Sequence, residues 1–193
     1  MEDIRIIEEA RKPLSMHPKK FALWLIMVSI AMMFAAWTSY YLVRQGNGSW
    51  EVFDLPDLFW TTTVIILLSS ITMHWSYLQA RRDKVSQLKV GVGLTLVLGV
   101  AFLIGQVLAW RELVAHGNHL TGGNPSESIV YVISGVHGLH IVGGIVFLLI
   151  VLASVARNKI HSKNMLRMEL CTTYWHFLGI LWLYLFVFLS LNR

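Results

Sequence analysis

Five apolar stretches constrain the fold of this chain more than any other feature of its sequence. They cover residues 21–43, 59–79, 90–110, 129–154 and 170–191. A helix of roughly 20 residues crosses about 30 Å of hydrocarbon, so each stretch is long enough to span a membrane. Water is absent there, and a helix satisfies its own backbone hydrogen bonds. We therefore predict an all-α membrane protein, a bundle of five transmembrane helices.

The overall composition agrees with this prediction. The chain is 55% hydrophobic and only 14% charged, whereas about 25% of residues in soluble domains are charged. We expect a cytoplasmic tail at 1–20 and one membrane domain at 21–193. The lone Cys171 excludes an internal disulfide and a cysteine-based metal cage.

The basic residues indicate the orientation of the chain. Thirteen of the sixteen Lys and Arg lie in segments 1–20, 80–89 and 155–169. The positive-inside rule then places the N-terminus in the cytoplasm and the C-terminus outside. Topology and contact with lipid headgroups account for the net charge of +5, so no nucleic-acid partner is expected. The residues expected to meet headgroups are Arg81, Arg82, Arg157 and Lys159.

Histidines inside the spans are the most informative polar residues. An ionisable ring at membrane depth is costly and normally faces protein or a cavity. His137 and His140 are three residues apart on the fourth span, and His74 and His176 lie on the second and fifth. They could be metal or haem ligands, but one helix turn supplies at most two ligands and the four rings lie at different depths. We favour hydrogen bonds that orient helices. The pair His116 and His119 falls in an outer loop, where solvation is expected.

Other features favour a packed bundle without chemistry of its own. Ser134 and Gly138 lie four residues apart on the fourth span, and small residues at that spacing let helices approach closely. Gly99 and Gln106 share a face of the third span. Apart from Glu169 at the interface, the spans contain no carboxylate, which argues against proton translocation through this chain alone.

Two motifs carry a resemblance to a known family. Residues 174–182, YWHFLGILW, include Tyr174, Trp175, His176 and Trp182, and residues 134–140, SGVHGLH, include His137, Gly138 and His140. They resemble the last two helices of subunit III of haem-copper terminal oxidases, and the segment that contains Gln106 is similar to an earlier helix. Five spans match the short form of that subunit.

The resemblance implies a non-catalytic subunit of a respiratory oxidase in the bacterial inner membrane. Such a subunit has no catalytic residue, metal ligand or redox centre, and the haem and copper lie in catalytic subunit I. Subunits I and II are the implied partners. Whether the oxidase belongs to a larger supercomplex stays open at this point. The subunit stabilises the catalytic site, supports proton uptake and O2 access, and binds phospholipid. The site for the electron donor, cytochrome c or quinol, lies on other subunits.

Two positions depart from the family pattern. Ile30 and Ala109 stand where the family usually has acidic residues. This departure puts a role in proton uptake in doubt, whereas a packing and lipid-binding role needs neither carboxylate.

Two alternatives from other classes stay open at this point. The first is a membrane b-type cytochrome or quinol-oxidising anchor subunit, which would show a haem band on its own. The second is a small stand-alone transporter, against which the absence of internal repeats argues.

Overall fold

The structure is a computed structural model that describes residues 17–46, 56–115, 125–157 and 165–192, with the backbone alone at 125–127. These residues form five helices, each long and apolar enough to cross a membrane. In chain order they are α1 (Pro18–Gln45), α2 (Leu58–Arg81), α3 (Val85–Ala115), α4 (Pro125–Ala156) and α5 (Leu166–Leu191). The prediction of five spans in an all-α protein is confirmed. Residues 1–16, the loop pair His116 and His119, and Lys159 lie outside the described residues.

Four helices extend beyond the predicted apolar stretches at both ends, and α5 extends beyond its stretch only at the N-terminal end. The largest difference is in α3, which has 31 residues and continues through polar positions such as Lys89 and Arg111. Lys, Arg and Glu favour helix, so a helix does not stop where its hydropathy falls. A turn of three residues joins α2 to α3, and Asp83 in it has a φ of 55°. Asp is among the residues that tolerate this left-handed conformation.

Helix α5 lies at the centre of the bundle. Its backbone packs against α1, α2 and α4, while α2 and α3 form the most extensive helix pair. Helix α1 packs only against α4 and α5 among the described helices. Consequently α1 and α2 lie on two sides of α5 without touching each other along their described lengths, and a groove runs between them.

Two clusters of buried side chains form the core. The larger one joins α2, α3, α4 and α5 and includes Phe102, Trp175 and Trp182. The smaller one joins α1, α4 and α5 and includes Phe34 and Leu185. Many large apolar side chains point outward instead, which is the pattern of helices that face lipid.

One glycine sets the approach of α3 to α5. A Cβ atom added at Gly99 would lie 2.7 Å from Cη2 of Trp175, which is closer than packed atoms allow. The indole of Trp175 is 1% exposed. The absence of a side chain at Gly99 therefore lets this tryptophan lie across α3.

Candidate functional site

The candidate residues fall into two regions of the bundle. The first, which we call the buried centre, contains Phe102, Gln106, His137 and Trp182 from α3, α4 and α5. The second is the groove between α1 and α2, whose floor is α5 and which contains His176.

His137 is enclosed by aromatic rings in the buried centre. Its side chain is fully buried, and its ring stacks on Trp182 with centroids 5.1 Å apart. Phe34 and Phe102 meet its edges at 6.2 and 6.0 Å. Neither ring nitrogen has a hydrogen-bond partner in the described part of the chain. No bond from His137 to another described side chain therefore orients a helix, and the contacts of its ring are with Trp182, Phe34 and Phe102.

His140 bonds within its own helix. Its Nδ1 lies 2.7 Å from the carbonyl oxygen of Val136, one turn earlier on α4. The ring also contacts Phe34, with centroids 5.8 Å apart. His137 and His140 thus both contact Phe34 from α1. The two histidines join α4 to α1 through ring contacts, whereas the sequence suggested hydrogen bonds between helices.

Two tryptophans of α5 make the hydrogen bonds between helices that the sequence analysis assigned to histidines. Trp175 Nε1 donates to Ser69 Oγ at 3.1 Å, and Trp182 Nε1 donates to Thr63 Oγ1 at 3.0 Å. Both indoles are 1% exposed. Sequence reasoning missed the partners on α2, although the Ser and Thr residues that make this span the least apolar are the signal that could have found them.

Gln106 lies deep in the same region. Its side chain is 2% exposed, and neither its amide nitrogen nor its amide oxygen has a hydrogen-bond partner among the described residues. One turn along α3, Trp110 Nε1 donates to Ser134 Oγ at 3.0 Å. The third-span motif therefore contributes to the buried centre, as its position on the same face as Gly99 indicates.

The remaining residues of the two motifs pack around this centre. Gly138 faces Leu103, and a Cβ there would lie 3.9 Å from that side chain. Tyr174 is half-buried, with its hydroxyl above Gly143. Cys171 is buried in the larger core cluster. These positions fill space between helices.

The groove contains a second pair of histidines. The rings of His74 and His176 are 5.9 Å apart between centroids. They line an apolar cavity of about 590 Å³ together with Ser70 and Trp75. His74 is exposed and His176 is half-buried. The rings of His74 and His176 thus contact each other, whereas those of His137 and His140 both contact Phe34.

Charged residues close one end of the groove. Lys20 Nζ of α1 lies 2.6 Å from Glu169 Oε2 of α5, so an ion pair bridges these helices. Both residues line a cavity of about 440 Å³ that also contains His74 and Tyr77. The guanidinium of Arg81 lies 5.4 Å from the Tyr77 ring.

The predicted headgroup residues that the structure describes lie at this end of the bundle. Arg81, Arg82 and Arg157 are exposed. Arg167 near the start of α5 donates to Ser154 near the end of α4 at 2.9 Å, which brings the end of α4 to the same level. The arrangement gives one end of the bundle a basic rim.

Within residues 17–46, 56–115, 125–157 and 165–192, no group of three or more His, Cys, Asp or Glu side chains could hold a metal ion. The contacts that the motif and groove residues make are ring packing, hydrogen bonds and an ion pair.

Comparison with known proteins identifies one family. Residues 17–191 match the family model described as cytochrome c oxidase subunit III. A ubiquinol oxidase subunit 3 of the cytochrome bo(3) type, from Buchnera aphidicola subsp. Schizaphis graminum, is 30% identical over 90% of this chain and 94% of its own length. A probable cytochrome c oxidase subunit 3 from Mycobacterium leprae is 28% identical over 87% and 85%. The cytochrome c oxidase subunit 3 of Bacillus sp. PS3 is 25% identical over 87% and 83%.

Proposed function

The chain belongs to the cytochrome c oxidase subunit III family, and on that premise we propose that it is bound to catalytic subunit I and to subunit II in a bacterial inner membrane. As a member of this family it is a non-catalytic subunit of a haem-copper terminal oxidase that stabilises the catalytic subunit. The haem and copper of the complex belong to the partner. The alternative of a b-type cytochrome is not favoured by this membership.

A scaffold role agrees with what the motif residues contact. His137 and His140 pack on Phe34 of α1, while Trp175 and Trp182 bond to α2. Since His137 also stacks on Trp182, the two motifs join α1, α2 and α4 to α5. This is the observation that best supports our proposal that the motif residues maintain the shape of a rigid subunit and take no part in electron transfer.

We propose that the basic rim faces the cytoplasm and contacts phospholipid headgroups. Arg81, Arg82 and Arg157 are exposed, which supports contact with headgroups. Lys159 lies two residues after Arg157 in the sequence. Anionic headgroups attract such clusters by about 1 kcal/mol per basic residue. This orientation leaves the N-terminus in the cytoplasm and the C-terminus outside.

The two positions that depart from the family pattern are apolar and buried in this protein. Ile30 is 7% exposed and Ala109 is fully buried, and each belongs to a core cluster. We propose that this subunit supports the catalytic site through packing and bound lipid, because no carboxylate stands at either position to take part in proton uptake.

Affinity purification of the tagged chain from host membranes in mild detergent tests the proposal. We expect subunits I and II to co-purify, identified by mass, together with haem absorbance and O2 consumption. After the subunits are separated, the reduced-minus-oxidised spectrum of this chain should show no haem band. A haem band that stays with the separated chain would establish the cytochrome alternative, and recovery of the chain alone would favour the transporter.

A further inference from the structure

Gln106 and His137 have polar side-chain atoms in the buried centre that lack hydrogen-bond partners among the described residues. Their exposed fractions are 2% and 0%, and both ring nitrogens and both amide atoms lack partners among the described residues. Buried polar groups in native proteins are satisfied by protein atoms or by ordered water. Four such atoms in one region point to a partner that belongs to the native protein.

The register of α3 against α4 places these two side chains at the same level. Trp110 bonds to Ser134 at 3.0 Å, and the Phe102 ring is 6.0 Å from the His137 ring. Gln106 is one turn from both Trp110 and Phe102 on α3. Because Gln106 lies between these two contacts along α3, it faces the turn of α4 that contains His137.

The nearby hydroxyls already have donor and acceptor roles. Ser134 Oγ donates to the carbonyl of Val130 and accepts from Trp110. Thr63 Oγ1 donates to the carbonyl of Phe59 and accepts from Trp182. Three aromatic rings, those of Phe34, Phe102 and Trp182, contact His137 and offer no conventional hydrogen-bond acceptor. A small partner that both donates and accepts would satisfy the amide oxygen, one amide N–H and the unprotonated ring nitrogen.

We propose that Gln106 and His137 jointly bind one ordered internal water molecule. Its two hydrogens would be donated to Gln106 Oε1 and to the unprotonated ring nitrogen of His137, and its oxygen would accept from Gln106 Nε2. Internal waters need two to four polar partners, which these two side chains supply. The water would link α3 to α4. Because His137 also stacks on Trp182 of α5, the water would connect α3 to the contact between α4 and α5.

An electron cryomicroscopy map of the full chain, together with the subunits that co-purify with it, tests the proposal directly. At a resolution that shows internal waters, we expect density about 2.7–3.2 Å from polar atoms of both Gln106 and His137. No density there, or a direct bond between the amide and the imidazole, would overturn the proposal. The test does not depend on which subunits co-purify.

Solid-state NMR on the same preparation supplies a second readout. With 15N-labelled histidine, magnetisation transferred from water protons should reach the His137 ring in the wild type and be lost in Gln106→Leu. Thr172→Val, which removes another buried unpartnered hydroxyl, is the matched control and should leave the signal unchanged. Equal transfer in wild type and Gln106→Leu would rule out Gln106 as a water ligand. If Gln106→Leu does not accumulate, the wild-type map decides.

Discussion

The indole N–H of a buried tryptophan needs an acceptor, and in a membrane bundle it cannot obtain one from solvent. Trp182 obtains it from Thr63, whose hydroxyl also donates to the carbonyl of Phe59. The threonine therefore stays satisfied if the indole is removed, whereas the indole is left without an acceptor if the threonine is removed. A comparison of the two single substitutions with the double substitution can therefore separate the free energy of the hydrogen bond from that of packing.

We predict that Trp182→Phe and Thr63→Val each destabilise the subunit and that their effects are not additive. The coupling should be about 0.6–1.7 kcal/mol, the range for such bonds in membrane bundles. The free energies of unfolding of the two single variants and the double variant, from denaturant titration in detergent, give the value. Trp24→Phe is the control, because this side chain is 56% exposed. Simple additivity would show that the bond contributes nothing to stability.

The sequence indicated which residues matter but only partly how they act. Spacing places His137 and His140 on one side of α4, and that side does face the bundle interior. Spacing cannot show that the neighbour is Phe34, because the partner comes from a helix about a hundred residues away. The indole bonds to α2 were missed for the same reason. Contacts between elements depend on helix register, which local periodicity does not contain.

At the scale of the helices, one glycine determines whether α3 and α5 can approach. We predict that Gly99→Ala destabilises the bundle by about 1–3 kcal/mol, the usual cost of overpacking a filled core. The reason is the contact that its Cβ would make with Trp175, at 2.7 Å. Thermal unfolding in detergent measures the change.

Gly93→Ala is the matched control for this prediction. It lies on the same helix, and nothing stands within 4 Å of the position that its Cβ would take. Alanine favours helix more than glycine, so Gly93→Ala should be neutral or slightly stabilising. Equal destabilisation by both substitutions would attribute the effect to α3 itself and contradict a role for the Trp175 contact.

The number of helices could be predicted because each apolar stretch exceeds the length needed to span a membrane. Their ends could not, because charged residues such as Lys89 and Arg111 continue the helix α3 into the interface. The conformation of the turn between α2 and α3 could not be predicted from composition. Asp83 adopts a left-handed conformation there, at a φ of 55°, without the glycine that would have signalled it.

At the scale of the whole molecule, the groove is the surface with the most unusual composition. His176 lies ten residues, about 15 Å, from the start of α5, at a depth where a polar ring against lipid is costly. We predict that His176→Phe lowers retention of this subunit in the purified oxidase, because we expect a neighbouring subunit to supply the polar group that such a ring needs. The ratio of subunit III to subunit I on denaturing gels measures this retention. Val97→Phe, on the exposed face of α3, is the control, and equal retention of both variants would contradict the prediction.

The orientation of the chain can be tested with single cysteines, since Cys171 is buried and is the only native one. In a Cys171→Ala background we predict that Lys84→Cys, in the turn beside Arg81 and Arg82, reacts with an impermeant maleimide only in inside-out vesicles. Basic segments stay on the cytoplasmic side because their transfer across the membrane is disfavoured.

Asp57→Cys is the matched partner in this experiment. Asp57 is exposed and precedes α2, whereas Lys84 follows it, so the helix places them on opposite sides of the membrane. Asp57→Cys should therefore react in intact spheroplasts. The reverse labelling pattern would place the basic rim outside, and headgroup contact at the cytoplasmic leaflet would then be wrong for Arg81, Arg82 and Arg157 together.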